Sequence, residues 1–261
     1  MIKNILKAIR AYAGAFALIG QLGLWKYFGV PMLISFLTAV FIGLTAWGLS
    51  DTIGAVISKL WLWEWGSETF STLSDVFGGI IVLAFGIIIY KHIIMALSAP
   101  FMSPVSEKIE LHLLGKTHSH RNTNGLSQLW RGIRINIRNL GMELLLSVPI
   151  LIISFIPIVN IFSSILLFLV QSYYAGFGNM DYTLERHFEV KESVVFVKKN
   201  RGLAIGNGMV FMAMLLIPVV GIILVLPISV TASTTETVMQ IEKARKIKES
   251  KLDLEKTQSR K

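Results

Sequence analysis

Two apolar stretches, each with a proline near its middle at matching positions, constrain this chain more than any other feature. Arg138-Asn139-Leu140-Gly141 leads to Phe155-Ile156-Pro157-Ile158-Val159-Asn160, and Lys199-Asn200-Arg201-Gly202 leads to Leu216-Ile217-Pro218-Val219-Val220-Gly221, at a constant offset of 61 residues. Proline lacks an amide hydrogen and its ring clashes with the preceding turn, so an apolar helix stops or turns there. Each copy reads as a basic collar, an apolar arm, a turn and a second apolar arm. A chain that enters a bilayer and folds back inside it has this form. Duplicated, interrupted apolar segments point to a transport site, because broken helix ends leave backbone N–H and C=O groups for a solute.

The rest of the chain agrees with a bilayer as solvent. Hydrophobic residues make up 53% and charged residues 16%, with a mean hydropathy of +0.63, far from the balance of a soluble domain. The absence of cysteine excludes disulfide scaffolds, thiolate metal sites, iron–sulfur clusters and cysteine nucleophiles. The net charge of +9 sits at the ends of apolar segments and in the C-terminal tail, without interleaved aromatics. It reads as membrane-side charge that meets anionic lipid headgroups, and no nucleic acid partner is expected. The N-terminus lacks a compact apolar core followed by a small-residue cleavage site, so no cleaved signal peptide is expected.

Residues 2–20 place Ile2, Ile5, Leu6 and Ile9 against Lys3, Lys7 and Arg10, a pattern suited to lying on a membrane surface. A first span covers about 30–50, and the tryptophans of Trp61-Leu62-Trp63-Glu64-Trp65 favour the far headgroup region. A second span covers about 76–97, in which Lys91 is read as a snorkelling anchor. Beyond Pro100 and Pro104, Val105, Ile109 and Leu113 oppose Glu107, Lys108 and Glu110 in an amphipathic helix. A second basic interfacial helix sets Leu129, Trp130, Ile133 and Ile137 against Arg131, Arg134 and Arg138. The hairpins follow at about 141–178 and 202–237, with arms of about 16 residues in the second. That is short of the roughly 20 residues a full crossing needs, which favours re-entrant hairpins over tilted crossings.

Lysine and arginine outnumber acidic residues seven to two from Lys91 to Leu140 and eight to four from Thr237 to Lys261, but are outnumbered one to four from Asp51 to Asp75. The positive-inside rule then places both termini in the cytoplasm. The tail at 241–261 is expected to be a frayed cytoplasmic helix or a disordered extension.

The run Ser98-Ala99-Pro100-Phe101-Met102-Ser103-Pro104-Val105-Ser106-Glu107-Lys108-Ile109-Glu110 resembles the signature of the CysZ sulfate permeases and the related etoposide-induced membrane proteins. Phe155-Ile156-Pro157, Met180-Asp181-Tyr182 with Phe188-Glu189, and Leu216-Ile217-Pro218 through Pro227 to Ala232-Ser233-Thr234 follow in that family's order. The resemblance covers nearly all of residues 5–240, a single membrane domain. It implies an all-α integral membrane fold of two long transmembrane helices plus two hemi-penetrating hairpins, assembled as a homo-oligomer. It also implies channel-like sulfate uptake that feeds cysteine synthesis without ATP hydrolysis. The family's anion loop carries glycine, an apolar residue and two arginines, and the matching stretch here is Gly23-Leu24-Trp25-Lys26. A lysine in place of the guanidinium fork offers a compact point charge, while Gly23 and Leu24 offer backbone N–H groups.

Other candidates are sparser. Glu143 is the one acid in the first hairpin, and Arg138 or Lys91 is a possible partner. Ser163, Ser164, Thr231 and Thr234 are hydroxyls that could line a wet path, with close helix packing as the plainer role of the small residues Ser163, Ser164, Gly206, Gly208, Ala232 and Ser233. Asp181, Glu185 and Arg186 are read as helix-surface pairs. His112, His118 and His120 read as a solvated segment without a metal, and nothing calls for a catalytic residue or cofactor. Two function classes follow: an anion channel or permease, or a non-transporting membrane organiser that binds partners or headgroups through its interfacial helices.

Overall fold

The computed structural model describes residues 1–58, 85–115, 124–154, 156–217 and 219–258, and every regular element among them is helical. Helix α1 (Ile2–Gln21) passes through the turn Leu24–Tyr27 into α2 (Gly29–Ser58). Helices α3 (Phe85–Leu97) and α4 (Ala99–Leu114) meet at a 67° bend. Helices α5 (Gly125–Ile153), α6 (Pro157–His187), α7 (Val190–Lys199), α8 (Arg201–Leu215) and α9 (Val220–Gln258) complete the chain. Among the described residues four helices are long and apolar enough to cross a membrane, or five if the bent pair counts as one.

The chain turns where the prolines predicted it would in the first copy: α5 ends at Ile153 and Pro157 opens α6, where its missing N–H costs nothing. In the second copy the turn falls between Leu215 and Val220, while Pro218 itself lies outside the described residues. Arm lengths differ from the expectation. Helix α8, with 15 residues, is as short as its arm suggested. Helices α5, α6 and α9 have 29, 31 and 39 residues, so their length alone does not confine them to a half-crossing. The second basic helix is not separate from the first arm but continuous with it in α5. In the second copy the collar does break, because Asn200 Nδ2 donates back to Phe196 O and caps α7. Helix α7 is opened by a reciprocal pair in which the Glu189 and Glu192 carboxylates cap each other's backbone N–H. The tail is helical through Gln258. The tryptophan cluster at 61–65, the first half of the second span, and His118 and His120 lie outside the described residues.

The packing centre is the crossing of α6 and α8, the most extensive helix contact. A Cβ on Gly208 would sit 1.7 Å from Ser172 O, and one on Gly176 would sit 1.8 Å from Ala204 O. The two glycines therefore let the backbones touch. One face of α8 thus meets α6, and the adjoining face, through Gly202 and Gly206, meets α1, where a Gly206 Cβ would lie 2.4 Å from Ile5 O. Helix α1 consequently buries Ala8, Ala15 and Ile19 against protein, and only its outer face, with Lys3, Leu6 and Arg10, is free to meet a membrane surface. Tyr12 fastens it by donating to Asn207 O at 2.8 Å, and burial pushes its phenol well above the ordinary value, keeping the donor proton in place.

Candidate functional site

Helix α5 is amphipathic in the sense opposite to a helix of a soluble bundle, and α6 and α9 bury polar residues beside it. Buried α5 residues include Arg131, Asn136, Asn139, Glu143 and Ser147, the last four spaced by three and four so that they form one stripe. Trp130, Ile137, Leu145 and Ile152 of the same helix are exposed. Helix α6 hides Ser172, Asn179, Thr183, Glu185 and Arg186 while showing Ile161, Phe162 and Ile165. Helix α9 turns Ser229, Thr231, Ser233, Thr234 and Thr237 inward, and α2 exposes Phe36, Phe41, Leu44 and Trp47. Hydrocarbon accepts such an exterior, and polar groups inside it must find each other or water.

The stripe on α5 meets α3 in a closed ionic cluster. Lys91 Nζ donates to Glu143 Oε1 at 2.6 Å, both side chains having no exposure, and also reaches Gln171 O at 3.3 Å. His92 Nε2 lies 3.0 Å from Glu143 Oε2, and Nδ1 lies 3.1 Å from Asn136 Oδ1. Lys91 is therefore not a snorkelling anchor: its ammonium turns inward because a carboxylate awaits it across the interface. Arg138, the other proposed partner of Glu143, instead donates to Asn139 Oδ1 and lies over the Phe177 ring.

A second network joins α4, α5, α6 and α9. Arg131 grips Asp181 with two parallel bonds, from Nε at 3.0 Å and Nη2 at 2.8 Å, and its Nη1 donates to Phe188 O. Arg186 Nη2 donates to Glu110 Oε2 at 2.9 Å and to Ser106 Oγ, and His187 Nε2 lies 3.0 Å from Glu110 Oε1. Ser106, Thr183 and Thr234 extend the chain of hydroxyls from there, Thr183 donating to Thr234 at 3.2 Å. The expected surface pairs at Asp181, Glu185 and Arg186 are thus interior groups, and Glu110 and Arg131 have left the solvated faces assigned to them. Between the networks Asn179 Nδ2 donates to Asn207 Oδ1 at 2.7 Å, and Asn207 Nδ2 donates to Ser229 O. The hydroxyls of Ser98, Ser147, Ser172 and Ser233 are buried without a protein partner, which leaves each of them able to bond water or a solute.

The remaining sequence candidates scatter. Ser163 is buried, whereas Ser164 is exposed and donates to Asn160 Oδ1. Thr231 donates along its own helix to Pro227 O. Gly23 has φ +61 and its N–H goes to Gly20 O, while Leu24 is fully buried. Lys26 is exposed. Its Nζ lies 5.5 Å from the Tyr27 ring centroid, and Lys108 of α4 lies over the same ring at 5.8 Å, so a second cation joins the loop from a distant part of the chain.

Sequence reasoning missed His92, Asn136, Arg131 and Glu110. A signal existed: polar residues at 136, 139, 143 and 147 recur at helical spacing inside an apolar stretch. Assigning polar faces outward, as water dictates, hid it.

The sequence profile of the family described as sulfate transporter CysZ/etoposide-induced protein 2.4 matches residues 11–225. A sulfate transporter CysZ of Pseudomonas fluorescens (strain Pf0-1) is 28% identical over 141 residues, an alignment covering 53% of this chain and 56% of that protein. The matched part thus spans little more than half of the relative. The profile match takes in α2 through α8, with the Lys91–His92–Glu143 cluster and all of the second network but Thr234, and on that extent this multi-pass helical membrane chain belongs to the sulfate transporter CysZ/etoposide-induced protein 2.4 family.

Proposed function

We propose that this chain is a channel or permease for an inorganic anion, sulfate above all, moving it inward through the polar interior of the helix bundle to supply cysteine synthesis. The observation that supports the reading is the inverted amphipathicity of α5, together with the polar side chains that α6 and α9 bury beside it and the buried hydroxyls left without protein partners. A membrane organiser needs no such interior, since an apolar core is cheaper to build. Lys26 and Lys108 beside Tyr27 form the entry, two point charges replacing the family's arginine pair. Glu143, Arg138, Ser163, Thr231 and Thr234 belong to or border the interior route, and Ser164 stands at its outer edge. The protein sits in the inner membrane with both termini cytoplasmic, its outer basic residues meeting anionic headgroups. The broad apolar face of α2 is available to further copies of the chain, and the short arm α8 makes the second hairpin re-entrant.

The test is radiolabelled sulfate uptake into proteoliposomes, with empty vesicles, a chloride-flux control, and the Lys26→Ala and Lys108→Ala variants. Uptake above the empty vesicles that falls in both variants is the expected result. No flux of either anion from folded protein would overturn the proposal in favour of the organiser.

A further inference from the structure

The Lys91–His92–Glu143 cluster contains a proton that ordinary ionisation does not supply. Asn136 Nδ2 donates to Gly132 O at 2.9 Å, and a backbone carbonyl can only accept. This fixes the amide, so the oxygen Asn136 Oδ1, itself an acceptor, is the atom that faces His92 Nδ1 at 3.1 Å. The Nδ1 atom must therefore carry hydrogen. The other ring nitrogen, Nε2, faces Glu143 Oε2 at 3.0 Å. A neutral imidazole protonated on Nδ1 presents a lone pair there, and an ionised carboxylate presents another. Two facing lone pairs at that distance repel, so this contact needs a proton of its own.

We infer that the His92–Glu143 pair is a proton-binding site holding two protons between its two side chains, one more than a neutral histidine and an ionised glutamate hold together. The second proton lies either on Nε2, giving imidazolium against carboxylate, or on Oε2, giving a carboxylic acid against neutral imidazole. The count is independent of Lys91, which bonds the other carboxylate oxygen. With Lys91 charged, the cluster bears one net positive charge in either arrangement.

The second histidine–glutamate contact serves as an internal comparison. His187 Nε2 faces Glu110 in the same way, but its Nδ1 has no protein partner. A neutral ring can then place its hydrogen on Nε2 and satisfy the contact with no extra proton. The amide of Asn136 is what distinguishes the first site from the second. The groups facing the pair are Lys91 from α3, Asn136 from α5, and Gln171 O and Tyr174 from α6, with the Arg138 charge acting on Tyr174. None of the α5 and α6 groups supplies a second carboxylate that would take over the proton. The inference stands on this geometry whether or not the chain conducts sulfate.

Nitrogen-15 and carbon-13 solid-state NMR of the full chain in lipid vesicles at neutral pH reads the protons directly. His92-Ile93 is the one His-Ile pair and Met142-Glu143 the one Met-Glu pair in the sequence, so pairwise labelling assigns both side chains without mutation. The expected spectrum has His92 Nδ1 protonated, together with either a protonated Nε2 or a protonated Glu143 carboxyl. The inference is overturned by a bare Nδ1, or by a protonated Nδ1 with a bare Nε2 and an ionised Glu143. Asn136→Ala adds a second readout: released from the amide, His92 should move to the Nε2–H tautomer and Glu143 should read as ionised. An unchanged spectrum in that variant would contradict the role given to Asn136.

Discussion

Replacing Lys91 by methionine separates an inward-facing, paired lysine from a snorkelling one. The substitution keeps the unbranched stem of the side chain, less its terminal nitrogen, and removes two bonds, to Glu143 Oε1 at 2.6 Å and to Gln171 O at 3.3 Å. Breaking a buried ion pair from one side costs about 3–5 kcal/mol, because the other charge stays behind without compensation. His92 still stands 3.0 Å from the second carboxylate oxygen, so the low end, about 3 kcal/mol, applies. For a chain of this size that corresponds to a drop of roughly 10 °C in thermal midpoint. Removing Glu143 as well, in Lys91→Met/Glu143→Met, takes away the carboxyl oxygen Oε1 that the single variant leaves buried without its donor. The double variant should then be more stable than Lys91→Met alone, with a coupling of at least about 2 kcal/mol across the cycle. Thermal unfolding of the four proteins in one detergent measures this. A harmless Lys91→Met, or strictly additive single effects, would refute the buried pair and restore the surface lysine.

Gly208→Ala should be among the most damaging single-methyl additions in the chain. Its Cβ would lie 1.7 Å from Ser172 O where a carbon–oxygen contact needs about 3.3 Å, so α6 and α8 must part, at a cost of about 1–3 kcal/mol or more. Gly14→Ala, with nothing within 4 Å, should instead stabilise by up to about 1 kcal/mol through helix propensity, and a thermal melt of the two variants side by side checks the contrast. Val219 holds φ +62 at the tip of the second hairpin, a conformation that a β-branched residue adopts only under strain. Val219→Gly should raise stability by about 1 kcal/mol, read from the same melts.

The sequence was most legible where the physics was local. Pro157 marked the first turn, the offset copy marked the second, and the uncharged run after Val30 marked α2, because breaks and apolar length are properties of a few neighbouring residues. Glu143 stood out as a lone acid in an apolar arm, with Lys91 named as a possible partner. The cluster itself was not legible, since His92 and Asn136 join it only through the α3–α5 packing. Arg131 misled for a different reason. Its spacing with Arg134 and Arg138 describes a basic face on a water-exposed helix, but Asp181, fifty residues away, draws it inward while Trp130 and Ile137 face out. Likewise Glu110, read on the polar face of an amphipathic helix, and Arg186, read in a surface pair, meet each other in the interior. Periodicity locates the two faces of a helix, but only the surrounding solvent decides which face is buried.

The central claim is that the polar interior is wet and passes an anion, and the chain's lack of cysteine makes a direct test simple. Single cysteines at Ser147, Ser172 and Ser233, hydroxyl positions buried without partners, would be exposed in membranes to a small water-soluble thiol reagent, with Leu145 and Phe162 on the outer face as controls. The account predicts modification at the three interior positions, slowed by sulfate, and none at the two outward ones. Unreactive interior cysteines in folded protein, with or without sulfate, would contradict it.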